Sequence, residues 1–229
     1  MPAKQIVVLP TNEDDYAAFN GCLEVIKTGR QKTTMTEQQL LVPQDTYLKS
    51  GIHIGTKNKT GYMHKFIYKT RSDGLSVLNL QLIDARIGIA ANFLSQYAPE
   101  DVLIVSRREN GWKSVRAFGR HTGCSIVAGR YPPGILTNPA LEHYREAKVI
   151  LVTDAWPDKN AINDAIAMGI PVIALCDTNN QANEIDLVVP CNNKGKKSLG
   201  VFFYILAREY RRLRNMSEVK FELDEFTEN

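Results

Sequence analysis

No stretch of this 229-residue chain approaches the roughly 18 uninterrupted apolar residues that a membrane helix requires. The opening "MPAKQIVVLP" also lacks the basic start, long apolar centre and small-residue cleavage site of a signal peptide. The expectation is a cytoplasmic protein with no membrane partner. Cysteine is scarce: Cys22, Cys124, Cys176 and Cys191 are too scattered for a zinc site built on C-x-x-C, and nothing points to secretion, so free thiols are expected rather than disulfides. His53, His64, His121 and His143 form no H-E-x-x-H or other short-range ligand pair, which leaves no metal site to propose. Glycine is missing where a nucleotide-binding fold needs it. The turn after "DVLIV" reads "SRRENG" with Gly111 alone, and neither G-x-G-x-x-G, G-x-x-x-x-G-K-[ST] nor G-x-S-x-G occurs, so no cofactor is expected.

What is present is a regular alternation of apolar runs and helical stripes. With 44% hydrophobic residues the chain can bury a sizeable core in one domain. Residues 1–40 show no sustained period, and the polar "TGRQKTTMTEQQ" reads as an arm. Gly51 is placed to close a short helix in the left-handed conformation. "KFIYKT" and "LSVLNL", separated by "RSDG", read as strands joined by a tight turn. Leu80, Ile83, Ile87, Ala90 or Ala91, Leu94 and Tyr97 recur at steps of three and four, the mark of a helix with one buried side, ended by Pro99. "DVLIVS" is then a buried strand, Trp112, Val115 and Phe118 mark a helix face, and "CSIVAG" and "VILVTD" are further strands. Pro157 and Asp158 suit the first turn of the next helix, with Ala161, Ile162, Ala165, Ile166 and Met168 as its buried side and Gly169 as its C-cap. "VIALCD" and "DLVVP" precede a long helix with Leu199, Phe202, Phe203, Leu206, Tyr210 and Leu213 on one side and Arg208, Arg211 and Arg212 on the other. Strands separated by crossover helices require a parallel sheet covered on both faces, that is, an α/β three-layer αβα sandwich. The organisation expected is an arm over 1–40, a single α/β domain over 41–216 and an acidic tail over 217–229.

Charge is unevenly divided. The formal net charge is +3, yet residues 1–20 carry −2 and residues 217–229 carry −4, leaving +9 in the body. Such a body suits a polyanion, and nucleic acid is favoured over an anionic membrane because no basic amphipathic anchor helix is evident. "GTKNKTGYMHKFIYKTR" sets Lys57, Lys59, Lys65, Lys69 and Arg71 among Tyr62, His64 and Tyr68, joining phosphate-binding cations to flat side chains able to stack on unpaired bases. Arg107 and Arg108 follow a strand end. Arg130 and Tyr131 lie on the proline-stiffened "GRYPPGILTNP", and Lys194, Lys196 and Lys197 stand at a helix start, where cations oppose the dipole unless an anion lies outside. Each cluster alone is an ordinary solvated face; together they favour RNA.

A competing reading rests on two carboxylates. "VILVTDAWPD" and "VIALCDTNN" each deliver an Asp where a buried strand stops, and Asp154 and Asp177 at such an edge could serve a small-ligand or nucleotide-binding enzyme. With no phosphate cradle or nucleophile this is half a mechanism. The preferred reading is structural: the two carboxylates satisfy backbone donors at strand ends, and Thr178, Asn179 and Asn180 form a turn.

The motifs "YLKSGIHIGT", "GRYPPGILTNP", "VILVTDAWPDKNAINDAIAMGIPVIALCDTNN" and "DLVVPCNNKGKKSLGVFFYILARE" together resemble the S-two family of small-subunit ribosomal proteins, from about Asp45 to Arg214. The chain lacks the inserted coiled-coil hairpin of bacterial members and is similar to the archaeal branch and to the ribosomal core of the eukaryotic laminin-receptor-like protein. "RYPPGILTN" stands where bacterial members have a Trp and a Gly pair, so bacterial partners of that surface do not carry over. The resemblance implies a flavodoxin-like sheet, no catalytic activity, no cofactor, and a place on small-subunit rRNA beside neighbouring ribosomal proteins, between head and body near the mRNA exit, without functional self-association.

Overall fold

The computed structural model describes residues 40–216 and 221–227. The arm expected over 1–40 lies outside the described residues except for Leu40, as does Cys22. The described chain enters through a short helix, α1 (Gln44–Ser50), closed by Gly51 at φ 70° as its position predicts. A 3-10 turn (Tyr62–Phe66) leads into an antiparallel hairpin of β1 (Ile67–Thr70) and β2 (Ser76–Leu78), whose connection carries Gly74 at φ 83°. Helix α2 (Leu80–Ser95) follows, N-capped by the Asn79 side chain on the N–H of Gln81, and it buries Ile83, Ile87, Ala90, Ala91 and Leu94. The remainder is β3 (Val102–Ser106), α3 (Glu109–Thr122), β4 (Ser125–Ala128), β5 (Val149–Val152), α4 (Lys159–Met168), β6 (Val172–Cys176), β7 (Leu187–Pro190) and α5 (Lys196–Leu213).

Five strands pair in parallel in the order β4-β3-β5-β6-β7. Every residue of β3, β5 and β6 is buried. That is why these strands read as unbroken apolar runs: a parallel sheet covered on both faces leaves no position for an alternating polar residue. Right-handed crossovers that run in opposite directions along the sheet, β3 to β4 through α3 and β5 to β6 through α4, put those helices on opposite faces. Helix α5 packs against both α2 and α3, so these three form one outer layer. The other layer is α4 with the helix-free 129–148 connection, which buries Tyr131, Ile135 and Leu136 and is tied to α4 where Tyr131 Oη and the Gly134 N–H both donate to Asp164 at 3.0 Å. Proline stiffening in "GRYPPGILTNP" therefore serves core packing as well as the surface.

Four expectations change. In α4 only Ala161, Ile162 and Ala165 are buried; Ile166 and Met168 stand 45% and 48% exposed. Ile166 lies about 100° round the helix from Ala165 and Met168 is the last helical residue, so the buried stripe is narrower than the period suggested. Leu213, likewise last in its helix, is exposed, and α5 is otherwise buried on nearly all sides, including Glu209. Trp112 is only half-buried; Gly111, Ser114, Val115 and Phe118 form the inward side of α3. Asp158 is the N-cap residue of α4 rather than part of its first turn, and its buried carboxylate accepts the N–H of Arg107 instead of facing its own helix dipole.

The described part of the acidic tail, 221–227, docks across α3 and α5. His121 stacks on Phe221 (4.7 Å between centroids) and Phe226 (5.6 Å), while Tyr204 meets both edge-on. Phe226 is 1% exposed and its carbonyl accepts from Ser114 Oγ at 2.9 Å. Aromatic packing helps hold the segment, because Phe221 and Phe226 find His121 and Tyr204 on the helix surfaces, and Glu225 Oε2 lies 2.7 Å from His121 Nε2. Arginines near the end of α5 also donate to backbone carbonyls: Arg208 to that of Leu41, Arg211 to that of His121, and Arg214 to those of Ser95 and Tyr97.

Candidate nucleic-acid interface and a closed sheet edge

The chain leaves β3 toward β4 on one side and then β5 on the other, so the topological switch point falls between β3 and β5. In this strand order, 2-1-3-4-5 when counted from β3, ligands of α/β proteins bind beyond the carboxyl ends of the strands at that point. Here the crevice is filled by the chain itself. Arg108, following β3, places two guanidinium nitrogens on Asp154 Oδ2, following β5. Asp154 Oδ1 accepts the Trp156 N–H at 3.1 Å and Asn180 Nδ2 at 2.8 Å. Asn180 Oδ1 in turn accepts the Asp177 N–H (2.9 Å) and Asn193 Nδ2 (3.1 Å). Asp177 accepts the Thr178 N–H through Oδ1 and Lys194 Nζ, at 2.9 Å, through Oδ2.

A second segment seals the edge from outside. Thr56 N–H donates to Thr178 Oγ1 at 2.9 Å, and the Thr60 N–H donates to the Thr178 carbonyl at 2.9 Å. Gly55 lies so close that a Cβ there would sit 2.5 Å from Thr178 Cγ2; glycine is required by this approach, not by its φ. Every oxygen of Asp154 and Asp177 thus has a protein partner, and both residues are 1% exposed. A buried ion pair is dear in desolvation and contributes chiefly when its remaining lone pairs are satisfied, as they are here. The arrangement fits a register lock better than a reaction centre. Asp158 belongs to the same cluster: burial pushes its carboxyl up to about 7, against the lowering effect of the Arg107 N–H bond and with a further upward push from Asp154. Among the described residues no group of three or more His, Cys, Asp or Glu is placed to hold a metal ion, and no helix is long and apolar enough to cross a membrane.

The basic residues divide into two sets. Lys57, Lys59, His64, Lys65, Lys69 and Arg71 are all exposed around the β1–β2 hairpin. Lys65 Nζ lies 3.6 Å from the centroid of the Tyr62 ring, Lys59 donates to Thr70 Oγ1 at 2.7 Å, and Tyr68 is 69% exposed. The hairpin therefore does bring cations and flat rings to one surface. Arg107, Arg130, Lys196 and Lys197 are exposed at separate places, and Arg107 also donates to the Pro157 carbonyl. Arg108 and Lys194 are instead committed inward as the partners of Asp154 and Asp177, with side chains 32% and 37% exposed. Lys194 also donates to Asn179 Oδ1.

Sequence reasoning passed over one basic group. Lys113, Arg116 and Arg120 on α3 line, with Trp112, Lys196 and Phe226, a cleft of about 460 Å³. Their spacing of three and four on the polar side of a helix was the available signal.

The structure thus defines a flavodoxin-like α/β protein whose usual ligand crevice is closed by its own side chains and whose hairpin displays cations beside exposed rings. Sequence comparison supplies the particular family. The profile described as Ribosomal protein S2 matches residues 47–142 and 140–212. The chain is 46% identical over 196 residues to a protein of Methanococcus maripaludis (strain C5) named small ribosomal subunit protein uS2, covering 85% of this chain and 89% of that one. It is 51% identical over 172 residues to the protein of the same name from Ignicoccus hospitalis, covering 75% and 81%. The Picrophilus torridus protein, also so named, is 46% identical over 192 residues, covering 84% and 94%. The chain belongs to the ribosomal protein S2 family.

Proposed function

We propose that this protein is a structural constituent of the small ribosomal subunit, without catalytic activity, that binds rRNA at the junction of head and body near the mRNA exit. Family membership supplies the subunit. The observation that carries the non-enzymatic, RNA-binding reading is the division of charges: the carboxylates at the sheet edge are spent on internal partners, and the cations around β1 and β2 are left to solvent. Residues 41–216 serve as the rRNA-binding domain, with Lys57, Lys59, His64, Lys65, Lys69 and Arg71 as its main phosphate and base contacts. Arg107, Arg130, Lys196 and Lys197 are further contacts, and Arg108 and Lys194 hold the edge that presents them. The arm over 1–40 and the neighbouring proteins complete the attachment. The protein acts in the cytoplasm on the ribosome, singly and without a cofactor.

Small-subunit rRNA and sedimentation of cell extract test this reading. The protein should travel with the small subunit, and its affinity for the rRNA should fall steeply with salt, because each neutralised phosphate releases counterions. Replacing Lys57, Lys59 and Lys65 together by Gln should lower the slope of log affinity against log salt by about 2–3. Thermal stability should barely move, since exposed charges contribute little to folding. A chain found only free of subunits, or a salt slope unchanged in the triple variant, would refute the assignment.

A further inference from the structure

The connection from β6 to β7, residues 177–186, contains no helix, and it leaves a cleft on each of its sides. One, of about 380 Å³, runs between this loop and the start of α4, with Trp156, Lys159, Gln181 and Asn183 in its lining. The other, of about 360 Å³, lies between the same Gln181 and Asn183 and the segment carrying Tyr62. The loop is thus a shared wall with an aromatic ring beyond each side. Trp156 is 75% exposed and Tyr62 is 44% exposed, with the Lys65 ammonium over the Tyr62 ring. The Trp156 indole N–H, the Lys159 ammonium and the side-chain amides of Gln181 and Asn183 have no partner among the described residues.

We infer that this double cleft is a track for single-stranded RNA, with Trp156 and Tyr62 stacking one unpaired base each and Gln181 and Asn183 hydrogen-bonding base edges between them. The inference rests on the RNA-binding function proposed above and adds the site. Aromatic faces accept any base, amide side chains offer paired donors and acceptors to an exposed base edge, and lysines at the two ends suit the phosphates of a strand lying across them. A duplex does not fit this chemistry, because its bases are already stacked and paired. Glu184, which also lines the Trp156 cleft, marks that hollow as a place for a base rather than for a phosphate. A rigid wall favours the same use: Asn180, next to Gln181, is locked between Asp154, Asp177 and Asn193. Proteins also recognise exposed Trp, but a surface whose hydrogen-bonding groups are mainly amides matches a nucleobase better than an apolar anchor.

The protein contains two tryptophans, so a Trp112→Phe background leaves Trp156 as the only indole reporter. Titration of the full chain with a fluorescein-labelled single-stranded RNA of about a dozen nucleotides should quench Trp156 emission, and the matched duplex should not. Trp156→Ala should weaken single-strand binding about tenfold. Lys159→Gln should lower the salt slope by roughly one. Both side chains are exposed, and unchanged circular dichroism of each variant checks that the fold survives. Quenching by duplex as strong as by single strand would overturn the track, as would unchanged single-strand affinity in Trp156→Ala. Quenching produced only by an added ribosomal protein would overturn it too, assigning the face to protein. If RNA binding persists in Trp156→Ala but fails in the Lys57, Lys59 and Lys65 variant, the track alone is lost. If no rRNA binds at all, the proposed function fails first.

Discussion

Gly200 lies in the second turn of α5, inside the helix, where replacing glycine by alanine ordinarily stabilises by about 1 kcal/mol. In this protein the full chain should show the opposite sign. A Cβ at position 200 would sit 2.6 Å from Thr227 Cγ2 and 2.8 Å from the Phe226 carbonyl oxygen, and all three nearest atoms belong to the docked tail. That carbonyl is held by Ser114 Oγ, and the Thr227 carbonyl by Lys113 Nζ at 2.9 Å, so the segment cannot yield by rotating one bond. Gly200→Ala therefore undocks it. Burying the Phe226 side chain contributes about 2–3 kcal/mol. A surface segment can detach without unfolding the domain beneath, so the loss stops at its docking free energy rather than reaching the ~3–5 kcal/mol of a phenylalanine truncated in a closed core.

Setting the helix gain against the docking loss gives a net destabilisation of about 1–2 kcal/mol in the full chain. In a chain cut after Met216 the same substitution should stabilise by about 1 kcal/mol, or ~2–4 °C in melting temperature. Phe226→Ala should cost about 2 kcal/mol, and adding Gly200→Ala to it should recover stability instead of losing more, the mark of two changes acting through one contact. Thermal and urea unfolding followed by circular dichroism, with and without Gly200→Ala in the full chain, the cut chain and Phe226→Ala, decide the matter. A Gly200→Ala effect of the same sign and size with and without the tail would show that the segment does not rest on α5. Docking implies that deleting residues 217–229 lowers the melting temperature by about 4–12 °C.

Asn180→Ala should cost about 3 kcal/mol, because it strands the Asp177 N–H, leaves Asn193 Nδ2 with the Leu175 carbonyl alone and takes a donor from buried Asp154. Asn179→Ala, which removes only an acceptor for Lys194, should cost under about 1 kcal/mol; equal urea midpoints for the two variants would count against the locked edge. Asp158 predicts a pH effect. Its folded carboxyl is raised from an unfolded value near 4 to about 7 by burial, so the folded chain retains a proton that the unfolded chain has released between those values. Stability from this group is fully present below about pH 4 and is lost as pH rises through 7. Asp158→Asn keeps an oxygen for the Arg107 N–H and removes the titration, so the variant should gain on the parent as pH rises from 4 to 8. Parallel stability profiles for the two proteins would refute the raised carboxyl.

Local rules sufficed for much of the fold. The unbroken apolar runs of β3, β5 and β6, the stripe of α2, and Gly51 and Gly169 at φ 70° as helix ends each follow from a period or a backbone preference contained within one segment. The hairpin cluster was legible for the same reason: its cations and rings are near neighbours in the chain, so their sharing a surface needs little beyond the turn at Gly74. The sheet edge was half legible. The structural role of Asp154 and Asp177 could be read from their positions at strand ends, but their partners, Arg108 and Lys194, counted in the sequence only as surface cations. Local rules also could not reveal the aromatic box on α3 and α5 that receives Phe226, or Gln181 and Asn183 as the wall between Trp156 and Tyr62. Those depend on strand order and crossover, which bring distant segments together. A lysine in water and a lysine on a buried carboxylate have the same local sequence signal, and only the packing of strands β6 and β7 side by side decides which one the chain contains.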